Sequence, residues 1–216
     1  MKTVIFVHGF GVMKDARGMF IDIVGALTEQ GYKCVLIDLN IKDSDGNIIL
    51  SPFTKQVQIL TNAYEENKSD ESYIIAHSQG CIVTALADLP KITKTVFLAP
   101  PTDNNIEKTV AYFKKNPLTT IDFNSVSSLA RRDGTFTLVP KEYWDERERL
   151  DIASTYKAYI MGHKTVVVKA TQDEVVSNGA FHEIFNDTNI VEVEANHDFT
   201  DAARKILMSL CLKQIK

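Results

Sequence analysis

The sequence predicts an α/β fold: a mostly parallel sheet of roughly six strands, with helices on both faces and an inserted segment. Three observations predict it. Short apolar runs rich in β-branched residues alternate with stretches of helical periodicity, as strands do with crossover helices. One such run, Tyr73-Ile74-Ile75, passes through Ala76-His77-Ser78-Gln79-Gly80 into a helix-compatible stretch, Cys81–Ala87. About sixty residues separate the fourth run from the fifth, where a crossover needs only about a dozen.

Thr3–Val7 reads as a near-continuous buried strand. Phe20, Ile23, Val24 and Leu27 then recur at helical spacing, with Gly31 as the stop. Cys34–Leu39 is the second strand. Pro52 opens a helix with the stripe Phe53, Val57, Leu60 and Tyr64. The strand entering Ser78 is third, and Thr95–Leu98 fourth. Lys164–Ala170 and Ile190–Val193 are the fifth and sixth. Phe199, Ala202, Ala203, Ile206, Leu207 and Leu210 form a closing amphipathic helix.

The long interval is read as a cap over residues 103–160, inserted into a core of 1–102 and 161–216. Ile106, Val110 and Phe113 suggest a helix that Pro117 stops, and Asp133-Gly134 within Ser127–Val139 signals a hairpin. Lys141–Leu150 and Ile152–Ile160 read as helices. The cap is placed over the carboxyl edge of the sheet, where open α/β folds bind ligands. Its aromatics, among them Phe113, Phe123, Phe136, Tyr143, Trp144 and Tyr156, need something to cover.

The chain has 216 residues, 44% of them hydrophobic and 24% charged, with a formal net charge of -4. That composition is ordinary for a globular domain, and no basic stripe invites nucleic acid. No stretch approaches the ~18 apolar residues of a membrane span. Met1–Gly9 carries one basic residue and too short an apolar run for a signal peptide. The odd count of cysteines, Cys34, Cys81 and Cys211, suits a reducing compartment, so the expected location is cytoplasmic. No His, Cys and carboxylate cluster has metal spacing, and no metal or cofactor is called for.

Small-x-Ser-x-small at a strand-to-helix junction has a specific physical use. A serine held in strained backbone there projects its hydroxyl clear of the sheet, provided the residues two positions either side are nearly free of side chain. The next amide, that of Gln79, lies on a helix N-terminus, where it can face an oxyanion. His8-Gly9-Phe10-Gly11 ends the first strand, and its turn can swing the Phe10 N–H toward the same point. His8 is read as bracing that loop. Asp173 and His197, 24 residues apart, each follow a strand's carboxyl end. The order Ser78, Asp173, His197 thus comes to one edge of the sheet. An imidazole takes the proton of a hydroxyl that is otherwise a poor nucleophile, and a carboxylate fixes the imidazole tautomer. Asp103, after the fourth strand, is a rival for the acid. His77 is expected to point away from Ser78 and pack, and His163 and His182 to lie at the surface.

On these motifs the chain resembles the α/β-hydrolases, over nearly its whole length. Within them it is similar to small capped carboxylesterases and serine-aminopeptidase-like hydrolases, including feruloyl and cinnamoyl-type esterases. That finer likeness rests on Lys141-Glu142-Tyr143-Trp144, Gln172–Val176 and Asn196–Phe199. The resemblance implies a catalytic triad of Ser78, Asp173 and His197, with the Phe10 and Gln79 amides as oxyanion hole. It implies hydrolysis of carboxylic esters with small to medium apolar or aromatic acyl groups, which Phe136, Tyr143 and Trp144 would bind. Two departures are visible. Ala76 replaces the usual glycine, and two antiparallel strands that open larger members are lacking. Two other readings stay open: an amidase or aminopeptidase, whose amine-binding acid would be Glu142, Asp145 or Glu146, and a non-catalytic ligand-binding relative.

Overall fold

A computed structural model describes residues 2–176 and 179–215. In chain order the elements are β1 (Lys2–Val7), α1 (Met19–Thr28), β2 (Lys33–Leu36), β3 (Ile41–Lys42), β4 (Ile48–Ile49), α2 (Phe53–Glu66), β5 (Glu71–His77), α3 (Gln79–Ala87) and β6 (Ile92–Leu98). There follow α4 (Ile106–Phe113), β7 (Val126–Ala130), β8 (Phe136–Pro140), α5 (Lys141–Glu148), α6 (Ile152–Gly162), β9 (Thr165–Ala170), α7 (Phe181–Ile184), β10 (Ile190–Val193) and α8 (Ala202–Ile215). Six strands pair in the order β10-β9-β6-β5-β1-β2, and every pairing is parallel.

Parallel strands are covered on both faces, which is why their sequences read as continuous apolar runs rather than alternating ones. Alternate side chains nevertheless divide between two cores. Val4, Phe6, Tyr73, Ile75, Val96 and Leu98 pack under α1 and α8. Ile5, Val7, Ile74, Ala76, Phe97 and Val167 pack under α2, α3 and α6. The α2 stripe differs from the expected one at one position: Gln56 is fully buried while Val57 is only partly so. The cost of burying that amide is offset by hydrogen bonds, one of them from Gln56 Nε2 to the Ser51 carbonyl at 2.6 Å.

A second sheet of four strands, ordered β3-β4-β8-β7, lies apart from the first. Its β7–β8 hairpin turns at Asp133-Gly134 as expected, with Arg131 N–H bonded to the Thr135 carbonyl at 2.9 Å. β3 and β4 come from residues 41–49, a stretch with no strand expected. They are two residues each, too short for periodicity, and are fixed by Asp43, whose Oδ1 accepts the amides of Asp45 and Asn47. The second sheet therefore draws on both sides of α2, not on 103–160 alone. Leu129, Val139, Tyr143 and Trp144 share one apolar core with α2 and α3.

The segment expected as a cap divides in two. Its last helix, α6, is the crossover that leads into β9. Tyr156 packs on Phe97 at 5.6 Å between ring centroids, and the Tyr159 hydroxyl bonds Thr95 Oγ1 at 2.7 Å. The stripe Ile152, Tyr156, Tyr159 looks the same whether it lies on a lid or on a sheet. At the end of the chain, α8 begins at Ala202 rather than Phe199, because Phe199 (φ 49) and Asp201 (φ 56) adopt left-handed backbone.

One contact fixes how β5 meets α3. A Cβ on Gly80 would lie 2.3 Å from the Val7 carbonyl oxygen and 2.6 Å from that of His8. Backbone cannot yield as a flexible side chain can. Gly80→Ala is expected to destabilise by on the order of 3 kcal/mol. Gly25→Ala, where nothing lies within 4 Å in mid-α1, should stabilise by about 0.5–1 kcal/mol. Urea denaturation of both variants checks the pair.

Candidate active site

Ser78 joins β5 to α3 with φ 53 and ψ −127, a region that non-glycine residues seldom occupy. Its own N–H donates to the Leu98 carbonyl at 2.9 Å, and its carbonyl accepts from Cys81 N–H at 2.9 Å. Opposite, the turn after β1 comes close: a Cβ on Gly9 would sit 3.0 Å from Ser78 Cβ. His8 holds that turn. Leu39 N–H donates to its Nε2 at 2.9 Å, so the ring proton lies on Nδ1, which donates to the Gly9 carbonyl at 3.0 Å. Burial lowers its pKa and keeps the ring neutral.

Around Ser78 three side chains form a relay. Asp173 follows β9, His197 follows β10, and both reach the carboxyl edge of the sheet. His197 Nδ1–H donates to Asp173 Oδ2 at 2.7 Å, which leaves Nε2 to accept the Ser78 hydroxyl at 2.9 Å. The Asp173 side chain is fully buried, which pushes its pKa up. Hydrogen bonds outweigh that: His197 on Oδ2, and the Val175 and Val176 amides on Oδ1 at 2.8 and 2.9 Å, hold the carboxyl below its usual range.

The loop bearing His197 is tied on several sides. Asn196 closes it by exchanging bonds with Thr200. Arg17 pairs with Asp198, and Arg204 Nε donates to the Phe199 carbonyl at 3.0 Å. Beneath lies His77, a residue whose part the sequence did not disclose. Its Nε2–H donates to the His197 carbonyl at 2.9 Å, and the two rings are 4.8 Å apart. It does pack, as expected, but packs on the histidine that faces the serine. Burial, and then the neighbouring His197, push its pKa down to about 3.

The remaining expected residues are scattered around this centre. Gln79 opens α3, where first-turn N–H groups have no helical partner. Its side chain is buried, with Oε1 accepting the Tyr143 hydroxyl at 2.6 Å and Nε2 donating to Gln56 Oε1 at 3.0 Å. Phe10 is partly buried, its ring 5.8 Å from Phe113 and 5.7 Å from Tyr143. Phe136 lies in β8 opposite Ala130. Trp144 is buried, donates to Ser127 Oγ at 3.1 Å and meets Phe123 edge-on, so it completes the second sheet's core. Asp103 is exposed and accepts the Asn105 amide, while the carboxylate bonded to His197 Nδ1 is that of Asp173.

Two of the acidic side chains on α5 are engaged elsewhere. Glu146 takes both Thr54 N–H (3.0 Å) and Thr54 Oγ1 (2.6 Å), serving as the cap that Pro52 cannot be for α2. Asp145 pairs with Lys141. His163 is not a plain surface residue: it stacks on Tyr159 and bonds Asp88. His182 is half-exposed and bonds Asp187 at 2.7 Å. Among the described residues no group of three or more His, Cys, Asp or Glu could hold a metal ion, and no helix is long and apolar enough to cross a membrane.

No protein-family model matches the sequence, and no curated protein matches it closely enough to align. Solved structures do. The α/β hydrolase GrgF from Penicillium sp. sh18 aligns over 100% of this chain and 89% of its own, with a TM-score of 0.72 at 16% identity. The chain has the α/β-hydrolase fold. An esterase domain from a Rhodothermus marinus protein aligns over 99% of the chain and 88% of its own, with a TM-score of 0.66 at 15% identity. A monoacylglycerol lipase from Paleococcus ferrophilus covers 99% and 93%, with a TM-score of 0.67 at 15% identity. Within this fold, Ser78, Asp173 and His197 all sit at the carboxyl ends of β5, β9 and β10, where open α/β sheets bind ligands.

His77 gives the site a testable acid sensitivity. Its folded pKa, about 3, lies below the unfolded value near 6.5. The unfolded chain therefore takes up the proton first, and stability falls as pH drops from about 6.5 toward 3. Gln offers an N–H near the same place without titrating. Between pH 7 and pH 4.5, wild type is expected to lose about 2 kcal/mol more unfolding free energy than His77→Gln. Equal losses by urea titration would contradict the burial of a neutral His77.

Proposed function

We propose that this protein is a serine hydrolase that cleaves carboxylic esters through an acyl-enzyme. The hydrogen-bonded relay Ser78–His197–Asp173 carries the reading, with its tautomers already set for proton transfer. Ester chemistry is favoured over amide chemistry by two structures that share the fold, an esterase domain and a monoacylglycerol lipase. The engagement of Glu146 and Asp145 leaves the amine-binding alternative less support.

In this reading Ser78 Oγ attacks the ester carbonyl as its proton passes to His197 Nε2. The imidazolium is stabilised by Asp173, which stays ionised because its own hydrogen bonds hold its pKa low. The Phe10 and Gln79 amides receive the oxyanion. His197 then gives the proton to the departing alcohol. Water, deprotonated by the same nitrogen, attacks the acyl-enzyme and releases acid and free Ser78. The apolar side of the substrate rests on the Phe10 and Phe113 rings, with Tyr112, 42% exposed, edge-on to Phe113. That surface suits a small to medium apolar or aromatic acyl group. Tyr143 and Trp144, being buried, support the wall from behind rather than line it. The three cysteines are unpaired, in keeping with a reducing, cytoplasmic setting.

A fluorophosphonate probe should add to Ser78, read by intact mass and peptide mapping, and p-nitrophenyl esters from acetate to decanoate should turn over. Ser78→Ala should abolish both while keeping the fold by circular dichroism. Asp173→Asn should lower kcat by about 10⁴-fold, since the wrong tautomer of His197 then faces the serine. Wild-type turnover by Ser78→Ala would rule the mechanism out.

A further inference from the structure

The proposed oxyanion hole is built from two backbone amides on separate loops, and a side chain of the inserted segment touches both residues that supply them. Tyr143, on α5, is fully buried. Its ring stacks on Phe53 of α2 with centroids 5.1 Å apart and planes 17° from parallel, and it packs against Phe10 at 5.7 Å. Its hydroxyl bonds Gln79 Oε1 at 2.6 Å. We infer that Tyr143 is a positioning residue for the oxyanion hole, pinning Gln79 through a buried amide chain and Phe10 through its ring. The inference rests on the ester-hydrolase reading of Ser78.

The direction of each hydrogen bond is forced. The Ser51 carbonyl can only accept, so the amide nitrogen of Gln56 faces it at 2.6 Å. Gln56 Oε1 then faces Gln79 Nε2 at 3.0 Å, and Gln79 Oε1 is left for the phenol, which donates. Burial pushes the Tyr143 pKa up to about 12, so the donor proton is present at any working pH. Every polar atom along the chain is matched, in surroundings where an unmatched one is costly. Gln79 is therefore held at both ends of its side-chain amide. Its backbone N–H, one residue after Ser78, is oriented before a substrate arrives.

The same segment also reaches the other loop. Arg131, at the end of β7, donates through Nη1 to the Gly11 carbonyl and lies 3.4 Å from Thr137 Oγ1. Gly11 follows Phe10, so the turn carrying the second amide is fastened from the second sheet as well. Preorganised donors stabilise a developing charge without reorganising at the moment of reaction. On this reading the inserted segment contributes to catalysis at a distance from the substrate.

The test is Tyr143→Phe, which keeps the stack on Phe53 and removes only the hydroxyl. We expect kcat and kcat/KM to fall together by about tenfold, with KM within about twofold, as when an interaction made only in the transition state is weakened. Inhibition by phenylboronic acid, which forms a tetrahedral anionic adduct on the serine, should weaken by a similar factor. Gln56→Leu, cutting the chain on its far side, should act in the same direction. The double variant should lose less than the product of the two, because both act through Gln79. Unchanged kcat and boronate inhibition in both folded single variants, or independent multiplication of their effects, would overturn the inference while wild-type labelling of Ser78 keeps the ester-hydrolase reading intact. A wild-type protein inert to both fluorophosphonate and esters would overturn that reading and this inference together.

Discussion

Where α3 leaves β5, Gly80 lies so near the carbonyl oxygens of Val7 and His8 that no side chain fits between them. The site depends on that contact. It brings the end of β1 against the start of α3, so the turn after β1 lies over Ser78. The same closeness bends the chain sharply enough to hold Ser78 at φ 53. Such backbone costs on the order of 1–3 kcal/mol and persists only where the surroundings over-determine it. Here they do: β5 is paired on both sides, by β1 and β6, and Ser78 N–H extends the ladder to Leu98. The strain is thus held by a rigid sheet, and the hydroxyl is raised at its carboxyl edge.

Neutral histidines are the second constraint. His8 and His77 are both buried, and each has its ring proton assigned by its partners rather than by solvent. A charged ring in either place would be costly to bury, and on His8 the second proton would also break the Leu39 N–H bond to Nε2. His197 is different. Its Nδ1 faces an ionised carboxylate, so a proton arriving at Nε2 creates a paired cation rather than an isolated one. His197 therefore behaves unlike the two buried neutral histidines at the same edge of the sheet, and the difference comes from which polar groups each meets.

Much of this was legible in the sequence for a local reason. A strand that runs through small-x-Ser-x-small into a helix carries its geometry in consecutive residues, as do the loops that end with Asp173 and His197. All three residues meet in the structure. Elements whose identity lies in long-range contact were harder to read. β3 and β4 are too short for a period, and α6 has an apolar stripe that a lid and a crossover helix share. Gln56 looks like a polar break in the α2 stripe, yet it is buried because Ser51 and Gln79 satisfy its amide. Tyr143 and Trp144 are aromatic in sequence and were expected at the substrate, but their polar atoms are used inside the protein, by Gln79 and Ser127.

By itself the sequence determined the α/β class, the succession of parallel strands, and the three side chains whose chemistry the fold would bring together. Periodicity and turn chemistry act between near neighbours, so they survive in a one-dimensional reading. Tertiary structure alone decided the strand order, the tautomer of each histidine, and the path from Ser51 through Gln56 and Gln79 to Tyr143. Those are settled by which groups meet across the sheet, between residues as far apart in the chain as Ser78 and His197. A side chain's pattern of burial is written locally, but the partner that satisfies its polar atom is not.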